Sequence, residues 1–330
     1  MSHTVNALIE RLRTEGIGKS AEINPFWRDQ LARLTRAFSK AGTNVTHEQL
    51  RGALGYNAQR LPAGVSKNAD RPDWAGLMRC GEIPPIEGAR NEVEHAGALA
   101  YLRRMGALDQ YLAWVDGHGL ASAMDLARHY WYAKRLRSVL EKPDGQKICL
   151  EVGVGSGRFA SLLVETGIVR HYVLIDFPEM LLNAMLLVNE LFPHAETRYG
   201  ETPDFTQSGL VFWLLETGDI RRVPDAAVDI ALNFYSFMEM DEQIRDFYIG
   251  EIYRVAAPGA IFYNVNRRQR GMTRLNGSTF ENHPLLYPYR SSDRVLEWGP
   301  DDFNQSVRSE RFFSPNKSFS ISRIAAMADR

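Results

Sequence analysis

Residues 148–164 constrain this chain more than any other stretch. Ile148, Cys149, Leu150 and Val152 form a short apolar strand pattern interrupted only by Glu151. Gly153, Gly155 and Gly157 follow at alternate positions, and Phe159 to Val164 opens a helix-like run. A buried strand, a glycine turn and a helix start form the nucleotide-binding crevice of open α/β sheets. Glycine is needed there because a Cβ would block both the tight turn and a ligand's approach to the backbone. The dinucleotide fingerprint G-x-G-x-x-G requires its third glycine at position 158, where this chain has Arg158. The spacing is instead G-x-G-x-G, which argues against a nicotinamide or flavin cofactor. A second apolar run, Tyr172 to Ile175, ends in Asp176, 19 residues past Gly157. An ionised carboxylate only accepts hydrogen bonds, so an acid at the end of a second strand suits a pair of ribose hydroxyls.

Strand and helix patterns alternate beyond this point. Residues 178–192 read as a helix stopped by Pro193, 210–215 as the third strand, 228–233 as the fourth, 241–255 as a helix and 260–265 as the fifth strand. Residues 318–324 alternate with period two and are expected to close the sheet edge as an antiparallel strand. The preceding part of the chain contains no convincing strand. Helical patterns occupy 5–12, 25–38, 91–105, 109–115 and 122–140, the last with Met124, Tyr132, Leu136, Val139 and Leu140 facing inward. Thr46 to Gln49 has the spacing of a capping box, Asp73 to Met78 reads as a short helical turn, and Pro84-Pro85 reads as a linker or extended arm. Two regions follow: 1–142, a helical lid or substrate region, and 143–330, an α/β domain. The alternative for the helices is that they only thicken the core.

Composition narrows the partners. The 39 basic and 40 acidic side chains leave a net charge of −1, so no global field attracts a polyanion and no nucleic-acid partner is expected. Two cysteines, Cys80 and Cys149, are too few for a disulfide scaffold, and a reduced, cytoplasmic setting is expected. No apolar run approaches the ~20 residues needed to span a bilayer, so no membrane is expected, and the first residues lack the apolar centre of a signal peptide.

The Glu151-x-Gly-x-Gly-x-Gly157 segment resembles the first motif of the class I S-adenosylmethionine (SAM) methyltransferases. Asp176-Phe177-Pro178-Glu179, the Asn233 to Met240 segment with Ser236, Phe237 and Glu239, and the Tyr263 to Arg267 segment with Asn266 together look like the group of bacterial proteins assigned as sugar O-methyltransferases. The resemblance runs from about residue 146 to 265. It implies a Rossmann-like class I methyltransferase sheet of seven strands, the last antiparallel, and SAM as co-substrate. It also implies that Gly153, Gly155 and Gly157 admit the methionine half of the cofactor and that Asp219 accepts from the adenine amino group.

On the residues themselves, Glu151 is a carboxylate inside a strand, costly unless paired, and the cofactor's ammonium is the expected partner; a structural ion pair is the alternative. Phe177 follows the ribose acid and could flank the adenine ring or serve the core. Asn233, Ser236, Glu239 and Asp241 lie at or just after the carboxyl end of the fourth strand, the edge that faces the ligand crevice. Asn233 is assigned to the cofactor side, Glu239 and Asp241 to the acceptor side. Glu239 is expected to grip a hydroxyl or a cationic nitrogen, against the alternative of a helix N-terminal acid. His283, in a polar aromatic-rich loop, is the alternative base, while His118 and His129 lie in the lid region. Arg267, Arg268 and Arg270 form a basic cluster that suits an anionic acceptor or plain solvation. No His/Asp/Glu spacing dictates a metal site, and neither a Ser/His/Asp elbow nor a P-loop is present. The expected activity is methyl transfer to a small-molecule acceptor, a sugar or natural-product hydroxyl. The alternatives are an amine or guanidine held by Glu239 and Asp241, or SAM binding without transfer. The extra helical region suggests a homodimer.

Overall fold

The computed structural model describes residues 8, 10, 11, 14, 85–118, 122–140, 146–268, 270–273, 277–307 and 320–328. The expected helix over 25–38, the capping box, the turn at 73–78 and Cys80 lie outside the described residues.

Helices α1 (Pro85–Arg104), α2 (Leu108–Gly117) and α3 (Met124–Val139) precede the sheet. Pro85 begins α1 rather than a linker, at a first-turn position where its missing N–H leaves no intrahelical bond unmade. In α3, Tyr132 and Leu136 are fully buried, and Met124, Val139 and Leu140 pack at the margin of the same core.

The chain then runs β1 (Lys147–Val152), α4 (Arg158–Glu165), β2 (Val169–Asp176), α5 (Pro178–Leu191), β3 (Glu196–Tyr199) and β4 (Val211–Glu216). There follow β5 (Val228–Phe234), α6 (Glu242–Val255), β6 (Ala256–Arg267), the hairpin β7 (Arg270–Thr273) and β8 (Thr279–Asn282), β9 (Arg294–Pro300), α7 (Asp302–Val307) and β10 (Ser320–Ala326). Eight strands make one sheet in the order β3-β4-β2-β1-β5-β6-β10-β9. β3, β4, β2, β1, β5 and β6 are mutually parallel, and β10 is antiparallel to both of its neighbours. The tail strand therefore has the expected direction, but it is not an edge: β9 pairs with its outer side. With β3, the sheet has one strand more than the expected seven. β3 has no sequence signature because it is an edge strand whose Glu196, Thr197 and Arg198 are polar, the first exposed and the other two only partly buried.

Side-chain alternation divides the sheet into two packed faces. Cys149, Tyr172, Leu174, Phe212, Ile230 and Phe234 face α1 to α5, so the N-terminal helices and the sheet share one core. Leu150, Val173, Trp213 and Phe262 face α6, which buries Tyr248, Ile249, Ile252 and Tyr253 against them. Along β1 this parity puts Glu151 on the same face as Cys149, beneath the N-terminal helices. Among the described residues no helix is long and apolar enough to cross a membrane.

Candidate active site

The carboxyl ends of β1, β2, β4 and β5 open into a cavity of about 1050 Å³. That lies at the upper end of the ~300–1,000 Å³ range of small-molecule pockets and leaves room for two ligands side by side.

The glycine loop forms its floor. Gly153, Gly155 and Gly157 have φ of +80°, +58° and +74°, values that carry a steric cost for any residue with a Cβ. A Cβ on Gly153 would stand 2.1 Å from Ser236 Oγ, and one on Gly157 would stand 2.9 Å from Ala184 of α5. A Cβ on Gly155 would meet nothing within 4 Å and would protrude into open space. The first and third glycines thus serve packing, and the second keeps the cavity floor bare.

Acids stand at the strand ends. Glu151 is buried, accepts from Tyr172 Oη at 2.7 Å and has no ion-pair partner among the described residues. Burial pushes its carboxyl up to about 8, the Tyr172 bond opposing and the Asp176 charge adding to the rise. Asp176 accepts from the backbone N–H groups of Gly155 and Phe177, each at 2.8 Å, which ties the loop to the end of β2. Burial raises its carboxyl to about 6 against those two bonds, with Glu239 contributing repulsion. Each carboxylate oxygen keeps a further lone pair for a ligand. Glu216, opposite Asp176 in the β2–β4 register, also lines the cavity and is held by Arg11 through contacts of 3.0 and 3.2 Å and by Tyr199.

The turn after β5 supplies the far wall. Tyr235 takes a left-handed φ of +64°, strained for a residue with a side chain. Its hydroxyl joins Tyr132 of α3 (3.1 Å) and Asp301 (3.4 Å), while Tyr132 donates to Asp301 at 2.5 Å. The 3₁₀ turn Phe237–Glu239 is fixed from behind by a buried amide network. Asn266 accepts from Met238 N–H (3.1 Å) and donates to Asn233 Oδ1 (3.0 Å), and Asn282 donates to the carbonyls of Phe237 (2.7 Å) and Met240 (3.1 Å). Glu239 and Asp241 are thereby presented to the cavity. Asp125, Arg128 and His129 of α3 line the same cavity.

A methyltransferase domain profile matches residues 150–264, from within β1 to within β6. Residues 150–264 are a methyltransferase domain. It is of the class I kind, and its co-substrate is SAM. No curated protein sequence matches the chain. Among solved structures, a Galdieria sulphuraria protein inferred to be a sarcosine dimethylglycine methyltransferase is similar at 14% identity, with 61% of this chain and 86% of that one covered and a TM-score of 0.43. The Burkholderia thailandensis 1,6-didemethyltoxoflavin-N1-methyltransferase, solved with 1,6-didemethyltoxoflavin and S-adenosylhomocysteine, is similar at 12% identity (62% and 86% covered, TM-score 0.39). A SAM-dependent methyltransferase from Mesorhizobium loti is similar at 14% identity (59% and 96% covered, TM-score 0.36). Likeness at this level assigns no acceptor.

The methyltransferase domain brings Glu151, Gly153, Gly155, Asp176, Phe177, Glu239 and Asp241 to one cavity, with Gly157 just behind the loop. Three expected site residues stand elsewhere. Asn233 is fully buried behind the wall: its amide donates to the Val152 carbonyl (2.9 Å) and to Ser236, and its oxygen accepts from Asn266, so it holds the loop and the turn together. Asp219 opens the 3₁₀ turn Asp219–Arg222, pairs with Arg222 at 3.1 Å and is not part of the cavity wall. His283 caps the 3₁₀ turn Pro284–Leu286, where its Nδ1 accepts from Leu285 N–H at 3.1 Å, away from the cavity. Arg267 and Arg268, at the end of β6, also lie outside the wall.

The cavity holds residues that the sequence reading had not singled out. Glu216 had a visible signal, since its strand ends in an acid just as β2 ends in Asp176. Arg128 and Asp125 had none, because only the packing of α3 over the strand ends shows which of its faces is inward. Among the described residues no group of three or more His, Cys, Asp or Glu could hold a metal ion.

Proposed function

We propose that this protein transfers the methyl group of SAM to a hydroxyl of a small polar acceptor, of the sugar or natural-product class. The observation that supports this reading is the two-sided cavity, with the glycine loop and strand-end acids on one side and a charged wall from α3 and the β5 turn on the other. SAM supplies a methyl group on a positively charged sulfur. On its side of the cavity, the backbone at Gly153 and Gly155 admits the methionine half, Glu151 takes the ammonium directly or through water, and Asp176 takes the ribose hydroxyls. Phe177 flanks the base, and Glu216 with Arg11 closes that end.

Displacement at a sulfonium depends on alignment and dryness more than on protein nucleophiles. α3 meets this need by covering the strand ends, and the Asn233–Asn266–Asn282 network meets it by fixing the turn that carries Glu239. An alcohol must also lose a proton, and the Glu239 carboxylate on the acceptor side can take it. Glu239 and Asp241 would equally seat an amine or guanidine through charge-assisted bonds, which is the second reading.

Incubation with methyl-labelled SAM and matched panels of hydroxyl and amine acceptors tests the proposal. Label on hydroxyl compounds supports it, and label on amines alone replaces it with the second reading. Bound cofactor with both panels inert would make the protein a SAM-dependent binder rather than an enzyme.

A further inference from the structure

His129 of α3 lines the cavity, and its ring meets Phe159 of α4 edge to face with centroids 6.2 Å apart. Its two ring nitrogens have different surroundings. Nδ1 is buried and has no hydrogen-bond partner among the described residues. Nε2 is accessible and bonds to no described residue, so it is the nitrogen left open to a ligand. A neutral imidazole carries one proton, on one nitrogen or the other. On Nδ1 that proton would be a buried donor with nothing to meet, whereas on Nε2 it meets whatever fills the cavity. A doubly protonated ring would carry the same unmet donor on Nδ1. The geometry therefore favours a neutral ring with its proton on Nε2 and its lone pair turned away from the cavity.

We infer that His129 is a fixed hydrogen-bond donor: its Nε2–H holds a neutral oxygen of the molecule to be methylated, a carbonyl, ether or hydroxyl, and so sets how that molecule lies in the cavity. This rests on reading the cavity as a methyl-transfer site, and it leaves proton removal to another group. The charged groups that line the cavity with it are Asp125 and Arg128 on its own helix, Arg158 on α4, and Glu239 and Asp241 after β5. Burial above all, then Arg128, hold the imidazole down at about 3, while Asp125 pulls the other way and Arg158 adds to the repulsion. The ring thus stays neutral around pH 7, and with its lone pair on the buried nitrogen it offers the cavity no base. The acceptor class narrows accordingly. A compound with a lone-pair oxygen at this point is held, whereas an ammonium there would set donor against donor.

The sample is the full chain, labelled with ¹⁵N and saturated with S-adenosylhomocysteine, with calorimetry establishing saturation. Histidine side-chain ¹⁵N spectra, in which His129 is assigned by loss of its signals in His129→Gln, distinguish the two tautomers and the cation. The expected result is a proton on Nε2 alone between about pH 5 and 8, the range in which an ordinary histidine titrates. An imidazolium, or a proton on Nδ1, in that range would overturn the inference. Dimethyl sulfoxide, which accepts hydrogen bonds and cannot donate them, is the probe for the oxygen, and tetramethylammonium, which can do neither, is the control. Dimethyl sulfoxide should move the His129 Nε2 signals saturably, and tetramethylammonium should not. Backbone amide shifts of α3 give the probe's affinity in the variants. His129→Leu should weaken it by roughly 2- to 12-fold, the worth of one neutral hydrogen bond, and His129→Gln, whose side-chain amide restores an N–H without a base, should recover it. Unmoved His129 signals, or equal affinity in a His129→Leu protein that still binds S-adenosylhomocysteine, would overturn the inference. Failure of the wild type to bind S-adenosylhomocysteine at all would instead remove the cofactor reading beneath it.

Discussion

One methyl group added at Gly153 tests how the glycine loop and the β5 turn interlock. The new Cβ would stand 2.1 Å from Ser236 Oγ and 2.2 Å from Ser236 Cβ, at a φ of +80°. The left-handed backbone alone costs about 1–2 kcal/mol once a Cβ is present. Overpacking at such a contact adds about 1–3 kcal/mol. Ser236 cannot simply step aside, because its hydroxyl donates to the Val152 carbonyl at 3.0 Å and meets the Asn233 amide. Gly153→Ala should therefore destabilise the protein by about 2–5 kcal/mol, a large share of the ~5–15 kcal/mol that holds a typical domain. Ser236→Gly gives up its hydrogen bonds at about 0.5–1.5 kcal/mol each and removes the obstacle. In the double variant the collision is gone while the backbone strain remains, so the two effects should fail to add by about 1–3 kcal/mol, the double variant being the better off. Urea denaturation of the four ligand-free proteins, followed by circular dichroism, measures that coupling. Additivity within about 0.5 kcal/mol would refute the reasoning and mean that the loop does not rest on Ser236.

Other consequences follow from the acids and from the turn. Glu151 has a folded-state value of about 8, above its unfolded value, so the folded protein binds its proton more tightly than the unfolded chain does. Its stabilising effect is therefore complete below its ordinary value near 4.5 and is lost as pH rises to about 8. Glu151→Gln should flatten the fall in ligand-free melting temperature across that window, and an unchanged slope would place the charge elsewhere. Cofactor ammonium at Glu151 should reverse the preference, so S-adenosylhomocysteine binding at pH 7 should release about one proton, measured by calorimetry in buffers of different ionisation enthalpy. Glu239→Gln should lower turnover far more than cofactor affinity, and the reverse pattern would move Glu239 to the cofactor side.

The parts of the fold written in local pattern were legible in the sequence. β1, β2, β4, β5 and β6 are apolar runs of strand length, and the glycine spacing after β1 identified the loop that supports the cavity. β3 and the β7–β8 hairpin are short and polar, and β9 carries a mixed pattern because it is an edge, so no period-two signal marks them. The glycine-loop side of the cavity followed directly from strand ends, since Glu151 and Asp176 lie where the chain leaves the sheet. The facing wall did not. His283 looked suitable by residue type and loop position, yet its ring is used to cap a local turn, whereas His129 lay inconspicuously in a helix whose cavity-facing side depends on long-range packing. Asn233 was recognised as important for its place at the end of β5, but buried amides with four neighbours hold structure rather than touch ligand. Its motif partner Asn266 has the same explanation, which the sequence could not supply without the distances.

The central claim is that Asp176 and the glycine loop hold SAM, Asp176 at its ribose, and the most direct test is calorimetric titration of S-adenosylhomocysteine into the wild-type protein and Asp176→Ala. Hydrogen bonds to a charged acceptor are worth about 1.5–3 kcal/mol, so affinity should fall by roughly 10- to 150-fold in a variant that remains folded. Absence of binding to the wild type at millimolar concentration, or equal affinity in the two proteins, would contradict it.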